Sequence, residues 1–87
     1  MNLRELEYIV ALDEERNLKR AAEKVSVTPS ALTQKVMQLE KDVGIALFIR
    51  SRTGFTPTEA GTKYIDAARR ILQIKKDTYN ELHDMSN

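Results

Sequence analysis

The stretch NLKRAAEKVSVTPSALTQKVMQLEKDVG, residues 17–44, decides the fold. It opens on Asn17, whose side-chain oxygen can cap the first free N–H groups of a helix. The run Leu18 to Val25 follows, with Ala21, Ala22 and Val25 on its apolar side and Lys19, Arg20, Glu23 and Lys24 facing out. Two adjacent alanines let another helix approach closely. Ser26-Val27 breaks the pattern, and Thr28-Pro29 restarts it with a capping hydroxyl and a proline at the first helical position, where its missing N–H costs nothing. Leu32, Val36, Leu39 and Val43 then recur at i, i+4, i+7 and i+11, and Gly44 is a helix stop. A short helix, a tight turn and a longer helix over 28–43 make a helix-turn-helix pair.

Working outward, Leu3 to Glu15 reads as a preceding helix capped by Asn2, with Leu3, Leu6, Ile9 and Val10 on one stripe. Downstream, the apolar run Ile45-Ala46-Leu47-Phe48-Ile49 leads into Arg50-Ser51-Arg52-Thr53-Gly54 and Phe55, two short strands around a basic turn. Thr56-Pro57-Thr58-Glu59 reads as a capping box with proline at the first helical position, opening the longest helix toward Met85. The expected architecture is mainly α: a winged helix-turn-helix over 1–57, with a three-helix core and a short β-hairpin wing, followed by a long linker and dimerisation helix over 58–87.

With Leu32, Val36 and Leu39 inward, Ser30, Ala31, Thr33, Gln34, Lys35 and Gln38 face outward or flank. Their chemistry suits the major groove of DNA. Gln34 and Gln38 can pair bidentately with adenine, Ala31 and the Thr33 methyl can meet a thymine methyl, and Lys35 can reach a phosphate or guanine. The helix N-terminus, with Thr28 and Ser30, can hold a phosphate through backbone N–H groups. Arg50 and Arg52 flank the hairpin tip, within reach of the minor groove or backbone. A polar helix face alone is as often a solvated surface; the basic hairpin beside it tips the reading toward nucleic acid.

Composition narrows the remaining classes. The chain has 87 residues, no cysteine, and a net charge of +1. That excludes disulfides and thiolate metal sites and fits a reducing compartment, the cytoplasm by default. The longest uncharged run, Val25 to Gln34, is too short to cross a membrane. Charge is unevenly spread: residues 1–16 carry two basic and five acidic groups, 17–57 seven and three, and 58–87 five of each. The basic excess thus sits with the helix-turn-helix and the hairpin. An enzyme is not expected, and no cofactor. The sole histidine, His83, lies near a polar C-terminus without a nucleophile, and no glycine-rich phosphate loop or His-x-x-x-His pair exists. Asp13, Glu14 and Glu15 read as a solvated surface in preference to a metal site. The rival reading is a helical protein-interaction module that dimerises without binding DNA; steep salt dependence separates the two.

The long helix carries two apolar rows. One is Tyr64, Ala67, Ile71, Ile74 and Thr78. The other is Ile65, Ala68, Leu72, Lys75, Tyr79 and Leu82, close to a heptad pattern with one lysine in the seam, and it is assigned to dimerisation. A helix of about 28 residues runs roughly 42 Å, while a compact domain of this size has a radius of gyration near ~12 Å. Such a helix overhangs its own domain, which favours a second subunit.

Several segments together resemble one family: Leu3-Arg4-Glu5-Leu6-Glu7-Tyr8-Ile9-Val10, Ala21-Ala22-Glu23, Thr28-Pro29-Ser30-Ala31-Leu32-Thr33, Leu39-Glu40, Gly44-Ile45-Ala46-Leu47-Phe48 with Arg50, and Thr58-Glu59-Ala60-Gly61. In order and spacing they are similar to the N-terminal domain of LysR-type transcriptional regulators. The resemblance implies a bacterial regulator that binds inverted-repeat promoter sites on double-stranded DNA, with linker helices paired antiparallel in a homodimer. It also implies a small-molecule effector bound by a further domain outside these 87 residues. Positions matching the family's groove contacts are Pro29, Ser30, Thr33 and Gln34, with a wing arginine in the minor groove. Three departures bear on the bases read. Many members have glutamine then proline at the positions of Pro29 and Ser30, and arginine at Gln34. The wing arginine often stands at the position of Thr53, and Arg52 takes its place here. With these, Lys19, Arg20, Thr28, Ala31, Lys35, Gln38, Arg50, Arg52 and Thr53 complete the candidate DNA surface.

Overall fold

In a computed structural model, which describes residues 1–52 and 54–86, the element order is α1 (Leu3–Glu15), α2 (Leu18–Lys24), α3 (Pro29–Val43), β1 (Phe48–Ser51), β2 (Gly54–Pro57) and α4 (Glu59–Ser86). Each of the first three helices starts where a side chain caps it. Asn2 Oδ1 accepts the Glu5 N–H at 2.9 Å, Asn17 Oδ1 accepts that of Arg20 at 2.9 Å, and Thr28 Oγ accepts that of Ala31 at 3.1 Å. α3 ends on Gly44 in the left-handed region, φ 78°. The turn between α2 and α3 is held by Val27 N–H donating to Ala22 O at 3.0 Å and by Arg4 Nη2 donating to Val25 O at 2.6 Å.

The core gathers the inner faces of all four helices and the hairpin. Leu6, Ile9, Leu12, Leu32 and Leu47 are the largest fully buried side chains. Ala21 and Ala22 are fully buried, which is what lets α2 lie close against α1. Phe48 and Phe55 cross edge to face, centroids 6.1 Å apart. Two stripe assignments change at the helix ends. Leu3 and Val43, read as inward, are exposed, while Tyr8, Ala11 and Leu12 are buried. The buried side of α1 is broader than one stripe because α2, α3 and α4 all pack on it.

The start of α4 also differs from the sequence reading. Pro57 is the last residue of β2, paired with Phe48, and is not at the first helical position. Thr58 is the cap: its Oγ accepts the Gly61 N–H at 2.9 Å and donates to Ala46 O at 2.7 Å. The strand pairing Ile49 with Thr56 takes the residues that a capping box over 56–59 would have used. The division at 57/58 therefore falls within the packing unit, because Ile65 and Ala68 of α4 are buried with α1.

Candidate nucleic-acid interface

α3 presents one side to the core and the other to solvent. Leu32, Val36 and Leu39 are buried; Thr28, Pro29, Ser30, Gln34, Lys35 and Gln38 are exposed, and Ala31 and Thr33 are half-buried. Among the described residues, no hydrogen bond holds the Gln34 amide, leaving its donor and acceptor free. Gln38 is different: its Nε2 donates to Asp42 Oδ1 at 2.9 Å, so base contact requires that bond to break. Lys35 lies toward α1, near Glu5 and Tyr8, at the margin of the surface.

The wing stands beside this helix because three backbone anchors fix it. Glu40 Oε2 accepts the N–H groups of Leu47 and Phe48 at 2.7 and 3.2 Å, tying the entry of β1 to α3. Phe55 N–H donates to Arg16 O at 3.2 Å, tying β2 to the α1–α2 turn. Thr58 N–H donates to Leu47 O at 3.0 Å at the wing's exit. Gly54, at φ 135°, lies so close to the Arg16 carbonyl that a Cβ would overlap its oxygen and stand 3.2 Å from its carbon.

The two wing arginines occupy different places. Arg50 sits on β1 opposite Phe55, its guanidinium 5.2 Å from the ring centroid. It is thus two residues back from the tip, against the α3 side near Met37. Arg52 lies in the turn itself and is exposed. It lines one open groove with Asn17, Lys19 and Pro29, so the N-terminus of α2, the N-terminus of α3 and the wing share a face. Arg20, on the same short helix as Lys19, is also exposed. Thr53 lies outside the described residues.

Sequence reasoning passed over two residues here. Lys41 extends the exposed row of α3 beyond Gln34, Met37 and Gln38, at spacings of three and four that make it findable. Glu40 carries no groove chemistry but anchors the wing; nothing local in sequence marks its bond to Leu47. The acidic run at the end of α1 has cationic partners. Asp13 pairs with Arg16 at 3.0 Å and Arg69 at 2.8 Å, and Glu14 with Lys24 at 2.8 Å and Arg69 at 3.2 Å. The Lys24 hydrogen bond, ahead of that from Arg69, holds the Glu14 carboxyl below its ordinary range, against the opposing effect of burial.

The dimerisation row assigned from sequence splits in the structure. Ile65 and Ala68 are buried in the chain's own core and cannot meet a second subunit. Leu72 and Lys75 are half-buried, and only Tyr79 and Leu82 are open, with the Lys75 ammonium 5.8 Å from the Tyr79 ring centroid. In the other row Tyr64, Ala67 and Ile71 are half-buried and Ile74 is exposed. The helix therefore gives its first three turns to the core and leaves its distal half uncovered. No helix among the described residues is long and apolar enough to cross a membrane.

A family profile described as "Bacterial regulatory helix-turn-helix protein, lysR family" matches residues 3–62. The chain is 36% identical over 74 residues to the HTH-type transcriptional regulator ClcR of Pseudomonas putida, an alignment covering 85% of this chain and 25% of that protein. It is 38% identical over 76 residues to the DNA-binding transcriptional dual regulator OxyR of Escherichia coli, covering 87% and 25%. It thus spans about a quarter of the length of these relatives. Among solved structures it superposes on the DNA-binding domain of CbnR in its DNA complex with a TM-score of 0.86, at 31% identity and full coverage of both chains. A capped, outward-facing α3 beside an anchored basic wing, on a chain matched over most of its length, makes this protein a member of the LysR family of bacterial regulatory helix-turn-helix proteins.

Proposed function

We propose that this chain docks on double-stranded DNA as the DNA-binding part of a dimeric transcriptional regulator. The observation that carries the reading is the shared face: Pro29 at the start of α3, Lys19 on α2 and Arg52 in the wing line one groove, next to the exposed Ser30 and Gln34. α3 enters the major groove with Pro29, Ser30, Thr33 and Gln34 at the base edges. Lys19, Arg20 and the N–H groups under Thr28 hold phosphates, and Arg52 reaches the minor groove. Arg50, stacked on Phe55, supports the wing and contributes charge to the backbone side.

The distal half of α4 supplies the dimer contact, through Leu72, Tyr79 and Leu82 and the Lys75 stem between them, the part of the second row that the core leaves open. Two-fold symmetry then calls for an inverted repeat with half-sites about 34 Å apart or a multiple of that. We infer that the longer protein adds an effector-binding domain, and that a small-molecule effector belongs to that domain. The setting is the bacterial cytoplasm.

The test is selection of bound duplexes from random DNA, followed by a footprint and a salt titration on the best site. Affinity should fall steeply with added salt as counterions are released from several neutralised phosphates. A folded protein indifferent to duplex at low ionic strength would overturn the reading.

A further inference from the structure

Asp13, near the end of α1, bonds both the long helix and the α1–α2 turn. Its carboxylate is shared: Oδ1 accepts from Arg16 Nη2 at 3.0 Å and Oδ2 from Arg69 Nη2 of α4 at 2.8 Å. Its backbone carbonyl takes a third bond, from Arg16 Nε at 2.8 Å. The Asp13 side chain is only 16% exposed, while the two guanidinium groups that flank it reach into solvent. Arg16 itself is held at φ 54°, a left-handed conformation that a non-glycine residue adopts reluctantly. That conformation aims the Arg16 carbonyl at the wing, where it accepts the Phe55 N–H and packs against Gly54.

We propose that Asp13 is a positioning residue that seats the wing, acting through the left-handed turn at Arg16, and that Arg69 makes this seating depend on where the long helix lies. The three links run in series. Arg69 orients the Asp13 carboxylate; the carboxylate and its carbonyl clamp the Arg16 guanidinium; the clamped Arg16 presents its carbonyl to Phe55. A displacement of α4 that draws Arg69 away relaxes the clamp, and with it the contact that holds β2. Resting on the DNA reading above, this couples the tilt of the linker helix to how firmly the wing arginine meets DNA, with no change at α3.

The decisive measurement is amide hydrogen exchange in the DNA-free protein, comparing the Phe55 N–H with that of Leu39 in α3 as an internal reference. In Asp13→Asn the Phe55 amide should exchange at least about tenfold faster relative to Leu39. Arg69→Gln should shift it in the same direction by less, since the Arg16 arm remains. Arg16→Gly in the Asp13→Asn background should restore protection, because glycine adopts the left-handed turn unaided and keeps the carbonyl. Phe55 tracking Leu39 in both Asp13→Asn and Arg69→Gln would overturn the proposal, as would failure of Arg16→Gly to rescue. Should Asp13→Asn not fold, Arg69→Gln decides alone. None of these readouts involves DNA, so a failed relay and a failed DNA reading are told apart by the duplex titration.

Discussion

Gly61→Ala tests how α4 is seated on the rest of the domain. Gly61 lies in the first turn of α4, where a methyl group would overlap the Leu47 carbonyl oxygen and stand 2.8 Å from its carbon and 3.3 Å from its Cα. All three atoms are backbone, so no side chain can swing aside. Relief requires the helix to move off the approach to β1, which strains the Thr58 N–H to Leu47 O bond of 3.0 Å and the Thr58 Oγ to Ala46 O bond of 2.7 Å. Overpacking of this kind costs about 1–3 kcal/mol, and each hydrogen bond lost about 1 kcal/mol. Alanine returns about 1 kcal/mol through its better helix propensity. The net is a loss of roughly 2–4 kcal/mol. For a domain of this size each kcal/mol moves Tm by about 4–8 °C, so Tm should fall by at least about 8 °C. Helical circular dichroism during thermal and urea unfolding, at fixed protein concentration, measures it. Gly44→Ala is the control: nothing lies within 4 Å of its would-be Cβ, so only the positive φ of 78° opposes the change, at about 1 kcal/mol. A Gly61→Ala protein as stable as the parent, or one no worse than Gly44→Ala, would refute the reasoning.

The other expectations concern the wing, the groove and the acidic end of α1. Glu40→Ala leaves the Leu47 and Phe48 N–H groups without their acceptor; urea unfolding should show a loss of about 1–3 kcal/mol. Arg52→Ala should weaken binding to all duplexes alike and lower the slope of log affinity against log salt by about 1, whereas Gln34→Ala should relax preference at one base pair by about 1–3 kcal/mol. An unchanged site preference in Gln34→Ala would remove that residue from the groove. Glu14 is held below its ordinary value of 4.5 by Lys24 and then Arg69, so its folded pKa is the depressed one. The stability it contributes is present above that ordinary value and lost as pH falls through the lower folded one. Glu14→Gln should therefore flatten the decline of the urea midpoint on acidification, and an identical decline would contradict the assignment.

What the sequence made legible was local. Asn2, Asn17 and Thr28 cap the helices they precede, and Gly44 closes α3, because a cap is a contact between residues three apart. The exposed row of α3 followed from a period that its buried leucines set. What escaped was decided by contacts distant in sequence. Thr56-Pro57 and Thr58-Glu59 offered two overlapping starts for α4, and pairing with Phe48 and Ile49 chose between them. The two rows of α4 were visible, but both are apolar, and which one faces inward depends on α1. Ala68 is fully buried there, and Ile65, one turn earlier, joins the core cluster. The bond between Arg16 and Phe55 spans thirty-nine positions, and no pattern within either segment announces it.

The division of α4 has a geometric consequence for the dimer proposed above. The molecule is 49 Å long and only 25 by 19 Å across, because α4 runs its 28 residues well past the packed domain. Ile65 and Ala68 are buried in the domain's own core, while Leu72, Tyr79 and Leu82 carry the partner contact proposed above. The proposed seam is thus offset along the same helix from the residues that lock it to the recognition unit. Each residue along a helix advances about 1.5 Å and turns about 100°. In the proposed dimer the residues between lock and seam, 69–71, set the angle at which two copies of α3 face DNA. Ion pairs from Arg69 to Asp13 and Glu14 stiffen that joint at its start. Removing Arg70, exposed and, among the described residues, paired only with Asp66 of its own helix, would leave the Arg69 pairs, the winged domain and its groove surface in place. It would still turn the two recognition helices out of phase with any inverted repeat, and that separates the fold of this chain from its function as a pair.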